Sequence, residues 1–128
     1  MLIHAELTER IIGAAIKVHT ELGPGLLEST YGACLQYEME AAALRFETQV
    51  KLPIAYKGFH LDAGYRLDFL VEKSVILELK AVEQVIPLRR AQLLSYLRLS
   101  GLQVGLLLNF NVVHLRQGIV RMVRSRVV

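Results

Sequence analysis

Asp68, Glu78 and Lys80 are the residues of this chain best suited to chemistry: a lone carboxylate, then ten positions later a carboxylate and a lysine separated by one residue. Side chains two apart in a strand point the same way, so Glu78 and Lys80 share a face if the run around them is extended. Ionisable groups in an apolar run such as Val75-Ile76-Leu77 are costly unless they pair or hold a cation. Two close carboxylates suit a hard divalent ion such as magnesium or manganese, which takes a few protein oxygens and completes its shell with water and substrate phosphate. A neighbouring lysine can orient the attacking water and offset the charge growing on phosphorus, so phosphodiester hydrolysis is the reaction these parts fit. The same spacing also serves a plain ion pair between half-exposed strand residues, and Glu-x-Lys alone does not choose between the two.

For Asp68 to reach Glu78, residues 65–71 and 75–80 must pair as a hairpin across Glu72-Lys73-Ser74. If Val71 faces Val75, Asp68 falls opposite Glu78, and Asp68, Glu78 and Lys80 converge on one face. Leu67, Phe69, Val71, Leu77 and Leu79 then share the other. A two-residue loop would pair Asp68 with Leu77 and set the carboxylates on opposite faces.

The rest of the chain reads as support for that hairpin. Ile3, Leu7, Ile11, Ala14, Ala15, Val18 and Leu22 recur at helical spacing up to Gly23-Pro24-Gly25. Leu27, Tyr31, Cys34, Leu35 and Glu38 carry a second helix to about Leu44, so a helical hairpin opens the fold. Residues 50–56 look extended, with Lys57-Gly58 as a turn. Pro87 suits the first turn of a third helix over 88–100, stopped by Gly101, and 104–109 reads as a buried strand. Residues 112–115 and 119–123 form a last, weaker strand pair. This order implies an α/β fold with a mixed central sheet flanked by helices, in one domain over 1–128, rather than a bundle or barrel.

At 128 residues, 53% hydrophobic and a mean hydropathy of +0.38, the chain can bury one sizeable core. Its longest apolar stretches are short, so no membrane span, no signal peptide and a cytoplasmic address are expected. Cys34 is alone and stands in a helical pattern, which excludes a disulfide framework and makes it a core residue. His4, His19, His60 and His114 form no metal-ligand pair. Phosphate-loop, serine-elbow and dinucleotide motifs are absent. Charge is unevenly spread: residues 1–83 carry 8 basic and 12 acidic side chains, whereas 84–128 carry 7 arginines and no acid. Arginine forks match phosphate oxygens, and they serve equally as a solvated basic face. Lys57 and Arg66 are expected along the approach to the site.

Asp68 with Glu78-Leu79-Lys80 resembles the signature of the PD-(D/E)XK nuclease superfamily, with Leu67 where its name has proline. Gly25-Leu26-Leu27-Glu28-Ser29-Thr30-Tyr31 resembles the motif of the GxxExxY family, a small bacterial family within it. Tyr65-Arg66-Leu67-Asp68, Glu78-Leu79-Lys80-Ala81-Val82-Glu83 and Ala91-Gln92-Leu93-Leu94-Ser95-Tyr96 resemble that family's remaining blocks in order. The resemblance implies a restriction-endonuclease-like αβα core with Asp68 and Glu78 as metal ligands and Lys80 as the catalytic lysine. It lends Glu28 a place as a further ligand. It also implies substrate contacts for Gln92 and Tyr96, which share a helix face at i, i+4, for Tyr31, which shares one with Glu28 at i, i+3, and for Arg66. The implied partner is DNA or RNA. A chain this short that is nearly all core also suits a homodimer, an external protein partner, or a binding and regulatory module that keeps the fold without the reaction.

Overall fold

The computed structural model describes residues 3–124. Two helices come first, α1 (Ala5–Leu22) and α2 (Glu28–Ala41), followed by β1 (Phe46–Lys51), β2 (Ile54–Tyr56), β3 (Phe59–Leu61), β4 (Arg66–Val71) and β5 (Val75–Lys80). Helix α3 (Pro87–Ser100), β6 (Val104–Asn109), a 3-10 turn (Leu115–Gly118) and β7 (Ile119–Val123) follow among the described residues. The main sheet runs β1-β4-β5-β6-β7, while β2 and β3 form a separate two-stranded ribbon. All neighbours are antiparallel except β5 and β6, which are parallel and joined through α3. A parallel pair needs such a crossover, and the helix lies across one face of the sheet as a result.

The sheet divides the core in two. On one face Ile11, Ala15 and Val18 of α1 and Tyr31, Leu35 and Met39 of α2 pack on Phe69, Val71, Leu77 and Leu106. On the other, Leu93, Tyr96 and Leu97 of α3 pack on Leu67, Ile76 and Leu107. Strand β6 is buried along its whole length because helices cover both faces, which explains its unbroken apolar run. This is the expected α/β fold, helices on both sides of a mixed sheet, consistent with a restriction-endonuclease-like core.

The β4–β5 register is the one that the three-residue loop requires, with Val71 opposite Val75, Leu70 opposite Ile76 and Phe69 opposite Leu77. Glu72 (φ 50°) and Lys73 (φ 53°) make the reversal in the left-handed region. Leu67 departs from expectation: it packs with the α3-side cluster rather than with Phe69 and Val71. The change is local. Pairing with β1 skips Gln49, whose φ is 51°, and pairing with β5 stops at Phe69, so Asp68 has no ladder partner on either side at the point where the buried face changes.

Two other expectations are corrected. Residues 50–56 are not one extended segment: β1 ends at Lys51, and Leu52-Pro53 turns the chain into the β2–β3 ribbon. Residues 112–115 are not a strand, because the Val112 carbonyl accepts a bond from His19 Nε2 at 2.8 Å and Leu115 begins a 3-10 turn. Gly118 lets that turn approach, since a Cβ there would stand 2.2 Å from the Asn109 carbonyl oxygen.

Candidate active site

The site lies where β4 and β5 part. Beyond Phe69–Leu77 the backbone ladder stops, and carboxylates take over its donors: Asp68 Oδ2 accepts the Leu79 N–H at 2.9 Å, and the Asp68 N–H points at Glu78 Oε2 at 3.4 Å. Each acid therefore holds the opposite strand's backbone, and both sit in the gap between strands. Glu78 is only 8% exposed, and its Oε1 is buried with no hydrogen-bond partner among the described residues. Burial pushes the Glu78 carboxyl up to about 9, a hydrogen bond with the Asp68 side chain and the Asp68 charge add to this, and the Asp68 N–H and the Lys80 charge pull the other way.

A cleft of about 330 Å³ opens beside this gap, lined by Glu28, Ser29, Gln36, Thr48, Gln49 and Asp68 among others. Glu28 is the first residue of α2 and is exposed there. Partial burial raises its carboxyl, as does the Asp68 charge, while Lys80 and Arg89 lower it, so these four charges share one field. Yet among the described residues no three His, Cys, Asp or Glu side chains stand close enough together to hold one ion. Asp68 and Glu78 are brought together, and Glu28 is not assembled with them as a third ligand.

Lys80 ends β5, half-buried, with Asn109 opposite it on β6. The backbone there is fixed on both sides: the Phe110 N–H donates to the Lys80 carbonyl at 2.9 Å. Asn109 Nδ2 donates to the Val82 carbonyl at 2.8 Å, and its Oδ1 accepts the N–H groups of Val82 and Asn111 at 3.1 and 3.2 Å. Asn109 was missed at the sequence level. Its signal was an amide closing the otherwise apolar run 104–109.

Tyr96 approaches the gap from α3 and is 7% exposed, within reach of the Glu78 and Asp68 charges, and Gln92, four residues before it on the same helix, is half-buried. Burial raises the Tyr96 phenol above its ordinary value, helped by the charges of Glu78, Tyr65 and Asp68 and opposed by Arg89. Arg66 lies two residues before Asp68, its guanidinium turned back onto the Tyr65 carbonyl at 3.0 Å. Tyr31 contradicts the expectation of a substrate contact. It is fully buried, stacked on Phe110 at 4.5 Å, and its hydroxyl donates to the Gly23 carbonyl at 2.6 Å and accepts the Leu26 N–H at 3.1 Å. The residue braces the turn that delivers Glu28.

The carboxy-terminal arginines divide. Arg124 is committed to the Gly101 and Leu102 carbonyls, Arg121 to that of Ile3, and Arg116 to Glu9 at 4.0 Å. Arg126 lies outside the described residues. Arg89 and Arg90 are exposed in the first turn of α3, and Arg89 is the one whose charge reaches Glu28 and Tyr96. Cys34 packs against the core, as expected, and His19 is buried beside Phe110. No helix among the described residues is long and apolar enough to cross a membrane.

Neither the curated proteins nor the solved structures include a significant match to this chain. A family model does match, over residues 5–122, which spans both helices of the amino-terminal hairpin, the carboxylate gap and the strands beyond it: the chain belongs to the PD-(D/E)XK nuclease superfamily.

Proposed function

We propose that this protein hydrolyses phosphodiester bonds of nucleic acid with a divalent cation, magnesium or manganese, held by Asp68 and Glu78. The observation that carries the reading is Glu78 Oε1, a buried carboxylate oxygen with no partner among the described residues, beside a second carboxylate. An uncompensated buried acceptor is expensive, and a cation is the partner that would satisfy it. Two hard oxygens also match what magnesium asks of a protein, so the residues present fit the ion. Bound there, such an ion supplies Lewis acidity toward a phosphate oxygen and lowers the pKa of a coordinated water.

The remaining steps belong to this chain's own groups. Lys80 orients the nucleophilic water and offsets charge on the transferring phosphoryl group, from a backbone held by Asn109 and Phe110. Glu28 stands across the cleft and receives or relays a proton at its raised carboxyl. Arg89 and Gln92 meet the phosphate backbone, and Tyr96 walls the site.

Within the superfamily we assign the chain to the bacterial GxxExxY family, because each motif residue has a physical task. Gly25 adopts φ 98° in the turn, Glu28 opens α2 on the cleft, and Tyr31 ties the turn back by its hydroxyl. The functional test is incubation of single- and double-stranded DNA and RNA with magnesium or manganese and with a chelator. Cation-dependent cleavage is expected; no cleavage by folded protein with either ion would overturn the reading.

A further inference from the structure

The β2–β3 ribbon is inserted between β1 and β4, and its side chains belong to neither core cluster of the described residues. Lys57 (φ 48°) and Gly58 (φ 82°) close it with two left-handed residues, the geometry that matches the twist of a tight hairpin. Register pairs Tyr56 with Phe59 and Ile54 with Leu61. Paired residues share a face, as do residues two apart, so all four lie on one apolar face. Tyr56 is 63% exposed and Phe59 64%. An exposed aromatic pair on an isolated ribbon contributes nothing to this fold's core and marks a binding surface.

Charge decides what binds. Lys57 Nζ stands 5.5 Å from the Tyr56 ring centroid, and Lys51 pairs with Arg66 at the ribbon's base. Against those three cations and His60, residues 51–66 hold one carboxylate, Asp62, which is engaged with the Gly64 N–H. Aromatic rings flanked by cations are the combination that holds unpaired bases by stacking and their phosphates by charge, with little demand on sequence.

The ribbon is also tied to the carboxylates. Its base is closed by the Leu52 N–H on the Tyr65 carbonyl at 3.0 Å, and Tyr65 stands edge-on to Tyr96 at 6.1 Å. Arg66 then leads directly to Asp68.

We infer that the β2–β3 ribbon holds unpaired bases of a nucleic-acid strand on Tyr56 and Phe59 and directs that strand toward Asp68 and Glu78. The inference rests on the nuclease reading for its substrate class, and deepens it by assigning single-stranded or frayed nucleic acid to a particular surface.

The test is binding of a fluorescent single-stranded oligonucleotide and of its blunt duplex, followed by anisotropy in chelator so that nothing is cut. Wild-type protein is expected to bind the single strand more tightly than the duplex. Tyr56→Ala with Phe59→Ala should weaken single-strand binding about tenfold or more with an unchanged circular dichroism spectrum. Lys57→Glu should weaken it too and reduce its dependence on salt. Equal affinity of wild type and double variant, or no binding by wild type at low salt, overturns the inference. So does a wild-type dimer in sedimentation that the double variant converts to monomer, which would make the face a self-association surface. The two readings separate cleanly. Stacking-dependent binding by a protein that cuts nothing with either ion removes the nuclease and keeps the ribbon; cation-dependent cutting with binding indifferent to Tyr56 and Phe59 does the reverse.

Discussion

Asn109 stands opposite Lys80 in the parallel β5–β6 register and closes its side-chain amide on both the N–H and the carbonyl of Val82, two residues beyond that lysine. The exit of β5 is thereby clamped to β6, and Lys80 is held at a fixed place beside the carboxylates. A lysine on a strand end would otherwise fray with the loop that follows it.

Asn109→Ala removes both of these bonds and the one to the Asn111 N–H, and leaves the Val82 backbone groups without their partner. A loss of about 1–3 kcal/mol is expected in urea denaturation. Cleavage should fall further than the unfolded fraction explains, because Lys80 loses its anchor; proportional losses would make Asn109 a purely structural residue.

Stability of the cation-free protein should decline with rising pH. The Glu78 carboxyl holds its proton to about 9 in the folded state against 4.5 for the free group, so across that window the native chain binds more protons than the unfolded one. The contribution is fully present below 4.5 and lost as pH rises through the folded value. Thermal denaturation in chelator should show this slope, and Glu78→Gln, neutral at every pH, should flatten it and raise the melting temperature at pH 8.

Magnesium or manganese should act in the opposite sense. A ligand that binds only the folded state raises its stability by mass action, so millimolar cation should raise the melting temperature of wild type at pH 8. Glu78→Gln should respond much less. An equal response in both would place the cation elsewhere.

Tyr31→Phe keeps the stack on Phe110 and deletes the two turn contacts of the hydroxyl. Denaturation should show a loss of about 1–2 kcal/mol. Oligonucleotide affinity should be unchanged, since the side chain has no exposed surface.

Much of this architecture was legible in the sequence because its signals are local. Gly23-Pro24-Gly25, Pro87 and Gly101 mark helix ends by backbone chemistry alone, and Glu72-Lys73-Ser74 sets the β4–β5 register. What was not legible depends on contacts between distant residues. Leu67 changes face where the ladder breaks beside Gln49, left-handed in the neighbouring strand β1, which alternation in residues 65–71 cannot reveal. Tyr31 stands three residues after Glu28 as the spacing says, but spacing does not tell that Tyr31 is buried while Glu28, at the helix start, stays exposed. The arginine-rich half looked uniformly available, and backbone carbonyls of Ile3, Gly101 and Leu102 have claimed part of it.

Cleavage by point variants tests the roles of the Asp68–Glu78 gap and the lysine beside it most directly. On the best-cut oligonucleotide with magnesium or manganese, Glu78→Ala and Lys80→Ala should each lower the single-turnover rate about 10²-fold or more. Both variants should remain folded and still bind the strand. Wild-type rates in either folded variant would contradict the assignment of these residues and, with it, the proposed mechanism.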